Sequence, residues 1–273
     1  YGIDRAQISV NGAAASAPDL ALGQLVTVRG TRGPNAPRGA ADTVSFDANV
    51  EGPVGSVDAG AGRLVVLGTP VTANEMTVFD LGSRPPALTS LALGERVQVS
   101  GFVGANGAIA ATRIAARPAQ SRLRVRGTVV NLNRAAARFE INLLTVDYRS
   151  AAVIEGFPTG EPSEGDEVVV EGTRLIGRIE LIAEELSLAE SEIEDDGGEA
   201  EVEGLITRFV SPVDFDVSGR AVTTSSATFY EGGTAADLQL NVKIQVEGTV
   251  NDSGVIEARK IEVKDGGRVV GSP

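Results

Sequence analysis

Four stretches of this chain end on one pattern: a turn residue, alternating apolar and polar side chains, and then a glycine. They run through 20–30, 91–101, 165–172 and 238–248, and their final residues, Gly30, Gly101, Gly172 and Gly248, lie 71, 71 and 76 apart. A period of this size held along a whole chain marks a repeat architecture, in which each unit buries part of its apolar face against a neighbour. The alternation itself, Val26/Val28, Val97/Val99, Val168/Val170 and Ile244/Val246, has the period of two that turns one face of a β-strand into a core. Gly23, Gly94 and Gly165 align with Asn241 just before it. Asn is the non-glycine residue that best tolerates a positive φ, so all four positions are expected to be left-handed turns.

Other parts of the unit recur around this strand. Gly52-Pro-Val54, Gly127-Thr-Val129 and Gly204-Leu-Ile206 read as a first strand, and Leu64–Val66, Phe139–Ile141 and Phe215–Val217 as a second, with Ile8–Val10 a shortened version. Met76–Phe79 and Ala227–Tyr230 supply a third, and Gly107–Ile114, Gly177–Ile182 and Gly254–Ile261 a last. Asn11-Gly12 and Ser218-Gly219 suit two-residue hairpin turns. About five strands per unit, interrupted by a Leu-x-Leu-Gly segment after the third, predict an all-β fold: a tandem array of four small five-stranded OB-like β-barrels. A sandwich is the competing arrangement. The units are residues 1–50 (opening strand reduced to Tyr1-Gly2-Ile3), 51–119, 120–190 and 199–265, with an acidic linker at 191–198 and a tail at 266–273.

Composition narrows the function. The chain has 33 Gly but only eight Phe, three Tyr and no Trp, Cys or His. Without His and Cys it lacks the commonest general base, the commonest soft metal ligands and the thiol nucleophile. No apolar run approaches the roughly 18 residues needed to cross a bilayer. The net charge of −13 is one-sided: residues 1–120 hold nine acidic and nine basic side chains, and residues 121–273 hold 28 and 15. Such a chain repels polyanions, which argues against nucleic acid as a partner.

The pattern Gly-x-Val, Phe-x-Val-x-Gly, Leu-x-x-Gly-x-x-Val-x-Val-x-Gly and Gly-x-Ile-x-Ala-x-x-Ile, seen most clearly over 51–118 and 199–265, resembles a bacterial domain of unknown function that occurs in tandem in exported proteins of proteobacteria. The resemblance implies a β-barrel repeat and an extracytoplasmic location in a Gram-negative cell. It carries no established activity, so it transfers no site residues.

The individual candidates are few. Glu192, Glu194 and Asp196, with Glu203 at the twelfth position, echo a calcium loop; Glu at the first position and the absence of flanking helices make a solvated linker the plainer reading. Arg122, Arg124 and Arg126 alternate along one strand and so share a face, where they either meet an acidic partner or balance glutamates of the same chain, such as Glu180, Glu184 or Glu185. No catalytic or cofactor-binding residue stands out, and no cofactor is expected.

Two functions remain. One is a non-enzymatic structural or assembly protein, a subunit of an extracellular filament or envelope scaffold, that self-associates or binds an envelope protein through β-strand edges. In it, Tyr1 and Ile3 of the short first copy, and Val269 and Val270 of the tail, are the expected contact residues. The other is a module that binds a polysaccharide or a protein through the loops 31–39, 80–90 and 156–164, which differ between copies.

Overall fold

A computed structural model describes residues 2–31, 39–189 and 199–264. The protein is all-β, as expected; among the described residues the only helical elements are 3₁₀ turns of three residues. The first repeat holds β1 (Gln7–Val10), β2 (Ala13–Ala15), β3 (Val26–Thr31) and β4 (Ala40–Phe46). The second holds β5 (Val50–Asp58), β6 (Arg63–Val66), β7 (Thr69–Thr72), β8 (Val78–Asp80), β9 (Arg96–Val103) and β10 (Ile109–Ala116). The third is cut into β11 (Leu123–Thr128), β12 (Val130–Asn133), β13 (Arg138–Ile141), β14 (Leu144–Asp147), β15 (Val153–Glu155), β16 (Glu167–Gly172), β17 (Arg174–Ile176), β18 (Glu180–Ile182) and β19 (Glu185–Leu188). The fourth holds β20 (Glu199–Ser211), β21 (Asp214–Val217), β22 (Arg220–Thr223), β23 (Phe229–Glu231), β24 (Lys243–Val250) and β25 (Ile256–Val263).

The chain divides into two compact units, one of residues 1–101 and 111–190, the other of 102–110 and 191–273. In the second, β20 pairs antiparallel with β21 and β24, β21 with β22, and β24 with β25, while β22 and β23 run parallel to β25. Side chains from these strands, among them Ile206, Phe215, Val217, Ile244, Val246 and Ile261, meet in one apolar core.

The first unit departs from the expected row of separate barrels. β5 pairs with β6 and β9 of its own repeat and also with β11 of the next, Val50 opposite Val125 and Glu51 opposite Arg124, so ten strands of two repeats form one sheet. The second and third repeats are thus joined by strand pairing, as the turns of a β-solenoid are. The physical reason lies in size. A 70-residue unit without disulfides buries too little surface to stand alone, and sharing a sheet edge satisfies backbone groups and covers apolar area together.

One register is constant. The first strand lies antiparallel to the fourth with Gly52 opposite Val97, Gly127 opposite Val168 and Gly204 opposite Ile244. Two residues earlier, Val50, Val125 and Val202 lie opposite Val99, Val170 and Val246. The glycine is required because the neighbouring hairpin crosses there. A Cβ on Gly52 would sit 2.7 Å from Leu67 Cβ, one on Gly127 2.5 Å from Ile141 Cγ2, and one on Gly204 would run into Ser218 Oγ.

The first repeat breaks the pattern. Ile8–Val10 is not a shortened second strand: β1 runs parallel to β4, as β8 does to β10 and β23 to β25. Its Asn11-Gly12 turn, at φ 50° and 78°, returns through β2 as a hairpin of its own. The described residues of this repeat therefore supply the positions of the third, fourth and fifth strands only.

The left-handed turns are where the sequence places them: φ is 86° at Gly23, 83° at Gly94, 88° at Gly165 and 64° at Asn241. A Cβ on Gly23 would also come within 2.7 Å of Thr112 O, whereas Gly94 has open space around it. Gly94→Ala is expected to cost the left-handed penalty of about 1–2 kcal/mol, and Gly23→Ala distinctly more, measured as the loss in urea unfolding free energy. Equal losses would show that the Gly23 turn is not seated on β10.

Candidate functional site

The fourth strand is the element on which the repeats differ. Val97, Val99, Val168, Val170, Ile244 and Val246 are fully buried. Val26, the equivalent of Val97, is 42% exposed, and Val28 is only half-buried. Val10 and Leu20 are likewise half-buried, where Leu81 and Leu91 of the second repeat are buried. β3 ends its four-stranded sheet, in the order β2-β1-β4-β3. Among the described residues the fourth strand of the first repeat is thus less covered than its equivalents.

The face is held by a well-tied frame. Leu25 N donates to Ser100 Oγ at 3.0 Å, and Thr112 Oγ1 donates to Gly23 O at 2.6 Å. At the junction that follows, Asn49 N donates to Val99 O, Asn49 O accepts from Arg126 N, and Asn49 Oδ1 accepts from Gly101 N at 2.8 Å. One residue thereby links the start of the second repeat to its own fourth strand and to the third repeat.

The three arginines of β11 share a face, as their alternation predicts, and that face is occupied by the chain's own carboxylates. Arg122 pairs with Glu171, Glu184 and Glu185, Arg124 with Asp47 and Glu171, and Arg126 with Glu167. Beside them Glu51, only 6% exposed, accepts from Gln98 Nε2 at 2.9 Å and lies 3.5 Å from Arg117 Nε. These groups form a charged seam along the shared sheet. Polar residues at alternate positions of the first strand hinted at it, but which carboxylate met which guanidinium depended on register across repeats.

The other expected residues scatter. Tyr1, Val269 and Val270, and the calcium candidates Glu192, Glu194 and Asp196, lie outside the described residues. Glu203 sits on β20 and pairs with Lys243 at 2.6 Å. Among the described residues no three metal-ligating side chains converge. Ile3 is half-buried next to Gly2, whose N–H and C=O bond Gly39 O and Ala41 N beside β4. Phe139, Phe215 and Leu64 are buried in the core, while Phe229 is 63% exposed.

Loops 80–90 and 156–164 are braced internally, and most of 31–39 lies outside the described residues. Arg84 donates to Leu81 O, Ser90 O and Glu95; Phe157 is buried, and Arg134 holds Pro162 O. The Arg84 hydrogen bond holds the Glu95 carboxyl below its ordinary pKa. At Asp147 burial pushes the carboxyl up, but hydrogen bonds from Arg149 N and the Arg138 guanidinium outweigh it, and the net direction is down. In the second unit a cleft of about 270 Å³ is lined by Thr223, Thr224, Ser225, Glu257 and Ala258. No helix among the described residues is long and apolar enough to cross a membrane.

Residues 51–115 and 203–262 each match the family model of a domain of unknown function, DUF5666. These segments coincide with the second and fourth repeats. No curated protein matches the chain.

Two stability predictions follow from the seam and the brace. Arg124→Ala, which takes Asp47's ion-pair partner and leaves Glu171 with Arg122 alone in a largely covered site, is expected to cost about 2–3 kcal/mol, against no more than about 1 kcal/mol for Arg126→Ala, by urea denaturation. Because the folded pKa of Glu95 is depressed, its contribution is full above the ordinary carboxylate range and fades as the pH falls through the depressed value. The stability difference between wild type and Glu95→Gln is therefore expected to shrink between about pH 6 and pH 3; a difference constant with pH would contradict the pairing.

Proposed function

We propose that this chain, which carries two DUF5666 domains, is a non-enzymatic extracytoplasmic assembly protein that joins other chains through β-strand edges. The observation that carries the reading is the uncovered fourth-strand face of the first repeat, with Val26 at 42% exposure where its equivalents are at 0%. An edge strand with an apolar face attracts a further strand. The same chain already joins its second and third repeats by pairing first strands, so the contact invoked between chains is one its sheets are built to make. The reading also takes each complete repeat as an OB-like barrel. Support comes from the pairing circuit of the fourth repeat, β20-β21-β22-β25-β24 and back to β20, with β22 parallel to β25. Bracing of two of the loops that differ between copies favours structural use of them over ligand capture.

Sedimentation velocity over a hundredfold range of concentration tests it. Wild type is expected to grow with concentration, and Val26→Glu to remain small while keeping its strand content by circular dichroism. One sedimentation coefficient for wild type at every concentration would overturn the assembly reading. In its place would stand the binding-module reading, which the hydroxyl-lined cleft at Thr223, Thr224 and Ser225 favours, with a polysaccharide as its ligand.

A further inference from the structure

The left-handed turn of the first repeat is seated on the outer face of β8 and β10, and the fourth repeat rebuilds that seat in the open. Arg113 Nη1 donates to Leu22 O at 3.1 Å, and Thr112 Oγ1 to Gly23 O at 2.6 Å. A Cβ on Gly23 would lie 3.1 Å from Val78 Cγ2, so the glycine lets the turn settle against that side chain. Two residues on, Leu25 N donates to Ser100 Oγ. The fourth repeat matches this face position by position. Phe229 lies opposite Lys260 on β23 and β25 as Val78 lies opposite Arg113 on β8 and β10. Lys260 pairs with Glu231 as Arg113 does with Asp80, and Thr228 Oγ1 donates to Ala258 O as Thr77 Oγ1 does to Ala111 O. Arg259 therefore stands where Thr112 does, and Glu247 where Ser100 does. Yet Phe229 is exposed where Val78 is half-buried, and the Lys260 side chain is 32% exposed against 11% for Arg113.

Of the four equivalent turns, one suits the open seat. The Gly23 turn is in use, and Asn241 carries a side chain, whose Oδ1 accepts from Ala105 N at 3.1 Å. The Gly165 turn would bring Glu167 to Glu247, carboxylate to carboxylate. The Gly94 turn has the Gly23 geometry: φ is 83° against 86°, and Glu95 accepts from Ala92 N as Gln24 accepts from Ala21 N. A Cβ on Gly94 would meet open space, and this turn brings Arg96, the counterpart of Leu25, to Glu247. We propose that the Leu93-Gly94 turn of a second copy of this chain seats on Phe229, Arg259 and Lys260 of the fourth repeat. Lys260 donates to Leu93 O, Arg259 donates to Gly94 O, and Phe229 lies against the glycine. The third repeat offers Glu184 and Glu185 at the two donor positions, where carboxylates repel carbonyl oxygens. A single turn buries less than the roughly 1,000 Å² of a stable interface, so the inference rests on the assembly reading above. Copies joined at β3 raise the effective concentration of the turn, and the turn sets how they are oriented. Donor and acceptor are different surfaces, so the contact runs head-to-tail.

The chain has no cysteine, so a single thiol reports on the seat. Phe229→Cys places it there, in a side chain close in size to the Val78 of the occupied seat. Its labelling by a thiol reagent is timed over the concentration range of the sedimentation experiment, and is expected to slow at least tenfold as the chain associates. Gly94→Asn keeps the left-handed turn, as Asn does at 241, but fills the space against the seat; added to Phe229→Cys it is expected to abolish the slowing. Gly165→Asn, the same change in the other open turn, is expected to leave the slowing intact. Slowing that survives Gly94→Asn would overturn this turn as the occupant, and slow labelling even in dilute solution would overturn the second copy as its source. Association without slowing would overturn the contact and leave the assembly reading standing. No association at any concentration would remove both. Should Gly94→Asn lose its strand signal, Lys260→Glu decides the matter from the receiving side. It too is expected to abolish the slowing, and slowing that persists would overturn the proposal.

Discussion

The structure depends on the pairing between the first and fourth strands of each repeat. That contact covers the two alternating apolar residues of the fourth strand, and it demands a glycine where the neighbouring hairpin passes over. In the second repeat the same first strand also brings its charged position into line with the third, Glu51 opposite Arg124. Where it is made, as at Val97, Val168 and Ile244, the fourth strand is fully buried. Where the described residues of the first repeat lack the covering strand, the same side-chain pattern lies open. One rule, present three times and unfilled once, thus accounts both for the packing and for the surface that proposes a function.

The seam beneath β5 and β11 shows how two repeats come to share a sheet. Asn49 satisfies three backbone groups from two repeats, and Arg124 meets carboxylates from both sides of the junction. Ion pairs of this kind are modest contributors when exposed. When half-covered they act mainly by making any other register costly, since a slip would leave a buried charge without its partner. The charge pattern therefore fixes which strand lies beside which, while apolar burial supplies most of the stability.

Much of this was legible in the sequence because it is local. The period of two in Val97/Val99 and the glycine-to-asparagine exchange at 241 need only neighbours a few residues away, and both proved right. What was not legible is non-local. Ile8–Val10 has the composition of a second strand, yet β1 lies along β4, because which strand it joins depends on partners 36 residues away. Separate barrels were expected because nothing in β5 alone announces that its far edge bonds β11. The arginines of β11 advertised charge on one face without revealing that Glu171, Glu167 and Asp47 already occupy it.

The most direct measurement of the central claim is hydrogen exchange of the four equivalent fourth strands, followed at low and high protein concentration. The account predicts that in dilute solution the segment containing β3 exchanges fastest of the four. It predicts too that at high concentration β3 alone slows toward the level of β9, β16 and β24. Protection of β3 equal to that of β9 at every concentration would contradict it, since the strand would then have its cover within a single chain.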